Sequence, residues 1–264
     1  MDEILNTAFY AFRDLPSPES LRERAQARAE SAGLKGTLLI ASEGVNGYLA
    51  GSPGAVTDFE DFLSKELGPE PIEFKRSRSS SVPFRRLLIK VKKQILTFRT
   101  GACDPAREPG LRINPQELAR WLEEKRDVVL VDCRNRFEML YGTFEGALPL
   151  EMDSFDQFPE AYAKLEESTR GKDVVMFCTG GIRCEKASSY LRAQGNDRVY
   201  QLHGGVLRYF EETGGKGWNG SCFVFDERIA LRTDGSVDPN ASREIEAELL
   251  ASIQSVDGEP ETNS

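Results

Sequence analysis

Apolar residues follow two rhythms along this chain, and the rhythm changes shortly before its middle. In the first hundred residues, the runs LNTAFYAF (5–12), KGTLLIAS (35–42) and GVNGYLAG (44–51) have the period-two spacing of half-buried strands. The last two flank a tight turn placed at Glu43–Gly44. Two helices are interleaved with them. SPESLRERAQARAESAG (17–33) opens on a serine cap and a proline and closes on glycine, and SPGAVTDFEDFLSKELG (52–68) repeats that punctuation. PIEFKRSRS (71–79) and RLLIKVKKQILTFR (86–99) read as further strands. The order β-α-β-β-α-β predicts a ferredoxin-like α+β sandwich, one small sheet with two helices on a single face.

The loop TGACDPAREPG, rich in glycine and proline, separates this region from a different pattern. Beyond it, short continuous apolar runs alternate with helical ones. DVVLVDCR (127–134), GALPL (146–150), DVVMFC (173–178) and RVYQLHGG (198–205) are strands. NPQELARWLEEK (114–125), DQFPEAYAKLEEST (156–169), CEKASSYLRAQG (184–195) and VLRYFEETGG (206–215) are helices. Buried strands joined by helices predict a parallel sheet covered on both faces, an α/β domain. Reactive groups in such sheets gather beyond the carboxyl ends of the strands, where Asp132, Cys178 and His203 fall. WNGSCFVFDERIAL (218–231) reads as a strap or one more edge strand. The segment from Thr233 is polar and acidic, with room for one short helix in an otherwise flexible tail. The division expected is a first domain at 1–100, a linker at 101–111, a second domain at 112–217, a strap at 218–232 and a tail at 233–264.

Charge changes this picture in one place. The net charge of −9 excludes a generic nucleic-acid binder, yet residues 74–100 hold nine cations and no acid: Lys75, Arg76, Arg78, Arg85, Arg86, Lys90, Lys92, Lys93 and Arg99. A polyanion is the partner such a block suits; a solvated strand face is the alternative. The five cysteines (103, 133, 178, 184 and 222) are odd in number, and the start MDEILNTAFYAF is not that of an export signal. Free thiols in a reducing cytoplasm are therefore expected, with no membrane association, since no run approaches the ~20 apolar residues of a span.

The candidate chemistry lies in VVMFCTGGIRCEKASSYL, where a strand runs into Cys178 and a glycine-rich loop leads to a helix. Backbone N–H groups of Thr179, Gly180, Gly181 and Ile182 can turn inward to form a nest, with the helix dipole behind it. That setting lowers a thiol pKa, and Arg183 adds a fixed cation placed at the rim. Cys178 is the candidate nucleophile. Four residues separate it from Arg183, one fewer than in the related phosphatase loop, which fits an extra sulfur better than a phosphate. Cys184 is either a small buried residue or a thiol that resolves a persulfide or sulfenate on Cys178. Cys103, Cys133 and Cys222 read as core residues or bystanders. Asp132 and Arg134 either reach the pocket or cap its loop. GKGWNG matches GxGxxG but follows a helix and precedes a strand, the reverse of a dinucleotide fingerprint. A single histidine, His203, and unpaired cysteine spacings leave no metal site and no evident cofactor site; a backbone-satisfied ring is expected there.

VDCRNRFEMLYGTFEGALPL, FCTGGIRCEKASSYL and VYQLHGG resemble a rhodanese domain. ASEGVNG, FKRSRS, PFRRLLIKVKKQILT, GTFEGA, CTGGIRCEKAS and CFVFDERIA, in order to about residue 230, resemble more narrowly the rhodanese-domain, oxygen-dependent tRNA uridine hydroxylases. The resemblance implies an acylphosphatase-like first domain that helps hold tRNA at its anticodon loop. It also implies Cys178 as nucleophile, molecular oxygen as co-substrate and 5-hydroxyuridine at the wobble position as product. Many relatives carry a cysteine-rich C-terminal tail; LRTDGSVDPN stands here instead, so no zinc site is expected. A sulfurtransferase carrying a persulfide on the same cysteine is the alternative, and a non-catalytic tRNA-binding module a third reading.

Overall fold

The computed structural model describes residues 3–99 and 103–242. Residues 101–102 of the linker, and the tail beyond 242 where a short helix is expected, lie outside the described residues.

The first domain comprises β1 (Ile4–Phe12), α1 (Pro18–Ser31), β2 (Lys35–Ala41), β3 (Gly44–Gly51), α2 (Pro53–Leu67), β4 (Lys75–Ser79) and β5 (Leu87–Val91). Its sheet runs β4-β1-β3-β2-β5, antiparallel except where β5 lies parallel to β2. The predicted β-α-β-β-α-β order is present, with β5 added at the β2 edge. The β2–β3 turn comprises Ser42 and Glu43, one residue earlier than the sequence suggests. Period-two alternation places Phe9, Leu38, Ile40, Val45, Leu49 and Ile89 on one face, against Leu21 and Ala25 of α1 and Val56, Phe59 and Leu63 of α2.

Residues 92–99 are not the strand that their apolar pattern suggests. Ile95 packs with Ala41 and Ile182, whereas Phe98 belongs to the second domain's core. Side chains supply the bonds a ladder would have made: the Ile95 N–H donates to Glu43 Oε1 at 2.7 Å and the Phe98 N–H to Gln94 Oε1 at 2.8 Å.

The second domain holds β6 (Leu111–Ile113), α3 (Pro115–Glu123), β7 (Val128–Asp132), α4 (Arg136–Met139), β8 (Gly142–Phe144), β9 (Leu148–Pro149), α5 (Phe158–Ala163), α6 (Glu166–Thr169), β10 (Asp173–Phe177), α7 (Ile182–Ala193), β11 (Val199–Leu202) and α8 (Gly205–Thr213). The sheet β6-β11-β10-β7-β9 is parallel throughout. One core lies on each side: Val131, Met176, Ala187 and Leu191 with Phe155 and Phe158 on one, and Leu130, Val175, Phe177 and Leu202 with Trp121 and Tyr209 on the other. The single helix expected over 156–169 is two, α5 and α6. The strap is three short strands: β12 (Trp218–Gly220) pairs with β8, and β13 (Cys222–Phe223) with β14 (Ala230–Leu231).

The sequence of α7 looks like an ordinary surface helix, yet Ile182 to Ser189 are all buried. Buried charge is tolerated only when paired. Glu185 accepts from Tyr10 Oη (3.2 Å), Arg112 Nη2 (3.0 Å) and Gln201 Nε2 (2.7 Å). The Lys186 ammonium donates to both Glu43 oxygens at 2.9 Å and to the Leu96 carbonyl at 2.7 Å. Tyr10 and Glu43 come from the first domain, so α7 is bolted against the sheet face that the two helices leave uncovered.

Candidate active site

β10 ends at Phe177 and delivers Cys178 to a loop that closes on α7, whose N-cap, Gly181, has φ +98°, a conformation other residues rarely adopt. The Gly181 N–H donates to Cys178 Sγ at 3.1 Å. Burial alone would raise this thiol. The hydrogen bond from the Cys184 thiol, the charge of Arg183 and the backbone N–H groups of Cys184 and Arg183 outweigh it and bring the pKa to about 5. The donors therefore come from Gly181 and the first turn of α7 more than from Thr179, Gly180 and Ile182, which the sequence also nominated. The carbonyls of Cys178 and Thr179 point away and accept from the N–H groups of Val206 and Leu207. That contact requires Gly205, where a Cβ would lie 2.6 Å from the Cys178 carbonyl oxygen.

Arg183 is not at the rim. Its guanidinium is buried and forms a two-pronged pair with Glu138, at 2.5 and 2.7 Å. Glu138 is fully buried on α4 and also accepts from the Asn135 N–H (3.1 Å) and Thr179 Oγ1 (3.4 Å). The sequence reading missed it. The spacing Asn135-x-x-Glu138 at a helix start, a capping-box pattern, was the available signal.

Asp132 and Arg134 support the site from below. Arg134 Nε and Nη2 hold the Asp132 carboxylate at 2.9 and 2.6 Å, and Thr143 Oγ1 adds a bond at 2.8 Å. Arg134 also reaches the Gly142 carbonyl at 2.6 Å and lies 4.9 Å from the Trp218 ring centre. With its carboxylate wholly engaged, this pair fixes the turn carrying Glu138. Cys184 is buried between Cys178 and Cys133; burial pushes its thiol pKa up and the neighbouring sulfurs add to the effect, so it stays protonated and donates. Cys222 is pushed up to about 11 by burial. His203 is satisfied by side chains and not by backbone, with Nε2 3.1 Å from Glu73 and Nδ1 3.2 Å from Arg208.

Cys178 has no exposed surface. It lies in the floor of a cavity of about 480 Å³ between the two domains. The opposite wall is the uncovered face of the first sheet: Thr37 and Leu39 of β2, Asn46 and Tyr48 of β3. Burial and the nearby Cys178 thiolate help push Tyr48 up to about 12, against the lowering charge of Arg183. Phe84, Lys92, Leu96 and Phe225 also line it, with Asn135 and Arg183 beside Cys178.

The basic block divides. Lys75 packs over the Tyr10 ring near Glu73, Arg76 pairs with buried Glu60, Arg78 with Glu3, Arg85 with Glu227 and Arg99 with Asp156. Arg86, Lys90, Lys92 and Lys93 are exposed and form no ion pair among the described residues. Among the described residues, no group of three or more His, Cys, Asp and Glu side chains is placed to hold a metal ion, and no helix is long and apolar enough to cross a membrane.

Family profiles match the two parts of this architecture. A UPF0176 acylphosphatase like domain profile matches residues 4–95, and a Rhodanese-like domain profile matches residues 114–212. Among solved structures, a rhodanese-related protein from Thermoplasma volcanium aligns with 39% of this chain and 93% of its own (21% identity, TM-score 0.32). A tRNA uridine(34) hydroxylase of Bordetella petrii is 48% identical over 236 residues, 88% of this chain and 94% of that protein. Those of Cupriavidus necator (45%, covering 87% and 83%) and Bordetella avium (47%, covering 86% and 96%) are similar over the same extent. Identity at this level across both domains shows that the chain belongs to the tRNA uridine(34) hydroxylase family.

Proposed function

We propose that this enzyme hydroxylates C5 of the wobble uridine in the anticodon loop of tRNA, in the cytoplasm, with Cys178 as nucleophile and molecular oxygen as co-substrate. The observation that carries the reading is a thiolate with pKa about 5 in the floor of a cavity closed by a second domain. The volume of about 480 Å³ is within the usual range of ligand pockets. A wobble base already lies in a loop, so flipping it into the cavity costs little stacking.

C5 of uracil becomes electron-rich when a nucleophile adds at C6. The Cys178 thiolate forms the Sγ–C6 bond, the C5=C6 π pair moves toward C5 and O4, and C5 then attacks oxygen. Protonation leaves a hydroperoxide on C5, loss of the C5 proton and expulsion of the thiolate restore the ring, and two thiols then cleave the O–O bond, which leaves the C5 hydroxyl and releases water and a disulfide. The balance is uridine, O2 and two thiols giving 5-hydroxyuridine, water and a disulfide, with a thiol reductant supplying the two electrons. Lys92 in the cavity lining, with exposed Arg86, Lys90 and Lys93, supplies positive charge for the flanking phosphates. Persulfide transfer from the same cysteine would leave the first-domain wall without a part to play, and the relatives' names do not carry it.

Nucleoside mass spectrometry of tRNA from a deletion strain complemented with wild type or Cys178→Ser tests the proposal. Wild type should restore 5-hydroxyuridine and the serine variant should not. Normal hydroxyuridine with Cys178→Ser would sink it.

A further inference from the structure

Asn46 is an unusual residue for its position. Asparagine is disfavoured in strand interiors, yet this one is in the middle of β3, in register with Tyr10 of β1 and Leu39 of β2. It lines the Cys178 cavity, and among the described residues its side-chain amide forms no hydrogen bond. Polar side chains near it are engaged across the domain boundary, Tyr10 with Glu185 and Glu43 of the adjoining turn with Lys186, whereas Asn46, like Thr37 and Tyr48, keeps its polar atoms toward the cavity. A half-buried amide without a protein partner, in the wall of the cavity that Cys178 also lines, leaves a donor and an acceptor free for a ligand.

Building on the proposed function, we infer that Asn46 binds the polar edge of the uracil ring. An amide offers one donor and one acceptor side by side. Its Oδ1 accepts from uracil N3–H and its Nδ2 donates to O4, a two-point match to the edge beside the reacting C5=C6 bond. Attack at C6 pushes charge onto O4, so the Nδ2–H donor also faces the atom that becomes more negative along the reaction. Tyr48, two residues on and on the same face, and Phe225 of the strap supply ring surfaces for the base, with ring centres 6.3 Å apart. The first domain thus reads the base as well as contacting the RNA.

Asn46→Ala and Asn46→Asp test this with purified full-length enzyme and a tRNA carrying uridine at the wobble position. Both variants should lower kcat/KM by about ten- to a hundredfold. Asp should do at least as badly as Ala, because it accepts only and sets a negative charge against O4. Melting temperature should stay unchanged or rise in Asn46→Ala, and the pH profile of Cys178 alkylation should not move. Activity within about twofold of wild type in either variant would overturn the inference. So would a melting-temperature loss above about 4 °C in both, which would make Asn46 structural. Cys178→Ser run in parallel separates the two claims: if it stays active the proposed function fails, whereas an inactive Cys178→Ser beside fully active Asn46 variants defeats the role of Asn46 alone.

Discussion

An ionised, buried thiol leaves a mark on folding that can be read without any substrate. In the unfolded chain Cys178 titrates near about 8.5, and in the folded protein at about 5. Between these values the unfolded chain binds one proton more than the folded one, so stability rises with pH by about 1.4 kcal/mol per unit. The contribution is complete above the unfolded pKa and is lost as pH falls through about 5; at pH 7 it amounts to about 3 kcal/mol. Other titrating groups contribute their own slopes, but they cancel in the difference between wild type and Cys178→Ser, since serine does not ionise. Trp121 of the second domain and Trp218 of the strap share one core cluster there, so their fluorescence reports the relevant unfolding. Urea titrations at pH 6, 7 and 8 should show the wild-type advantage growing by about 3 kcal/mol across the series. Parallel pH dependences for the two proteins would refute the claim that Cys178 is ionised in the fold.

Further outcomes follow from the site's supports. Glu138→Gln leaves the Arg183 guanidinium buried without its counter-charge and should cost about 3–5 kcal/mol in denaturant titrations; a loss below about 1 kcal/mol would mean that the pair is not dry. Gly205→Ala drives a methyl group against the Cys178 carbonyl and the Gly181 N–H, so alkylation kinetics should report a raised thiol pKa. An unchanged profile would show that the loop yields without losing its donors. Lys92→Glu with Lys93→Glu should weaken tRNA binding and make its logarithmic salt dependence shallower by about one to two. Arg76→Ala, which removes the partner of buried Glu60, should lower stability with little effect on that slope. Equal effects of the two on tRNA binding would argue against dividing the basic block into paired and unpaired members.

Local pattern carried most of the architecture. Alternation in GVNGYLAG and the capped helices specify the first sheet, and the short apolar VVMF run, too brief for a helix, reads as a strand buried on both faces. Pattern failed where the two domains meet. The α7 sequence CEKASSYLRA has the polarity of a solvent-facing helix, because its partners Tyr10 and Glu43 are more than a hundred residues away. The run Ile95 to Phe98 is as apolar as a strand, yet Ile95 and Phe98 fill different cores. For the same reason the cysteine loop was legible as a thiolate trap but not as a buried one: the cover over Cys178 comes from β2 and β3, whose outward residues look like ordinary half-exposed positions. Arg183 was visible as a cation, but its burial depends on Glu138, which only long-range packing supplies.

The most direct test of the account is covalent. A tRNA carrying 5-fluorouridine at the wobble position lets a thiolate add at C6 but blocks release, since fluorine cannot leave C5 as the proton does. Incubation with wild-type enzyme followed by peptide mass mapping should find a stable protein–RNA adduct on Cys178, absent from Cys178→Ser. An adduct on any other residue, or none from an enzyme that hydroxylates ordinary tRNA under the same conditions, would contradict it.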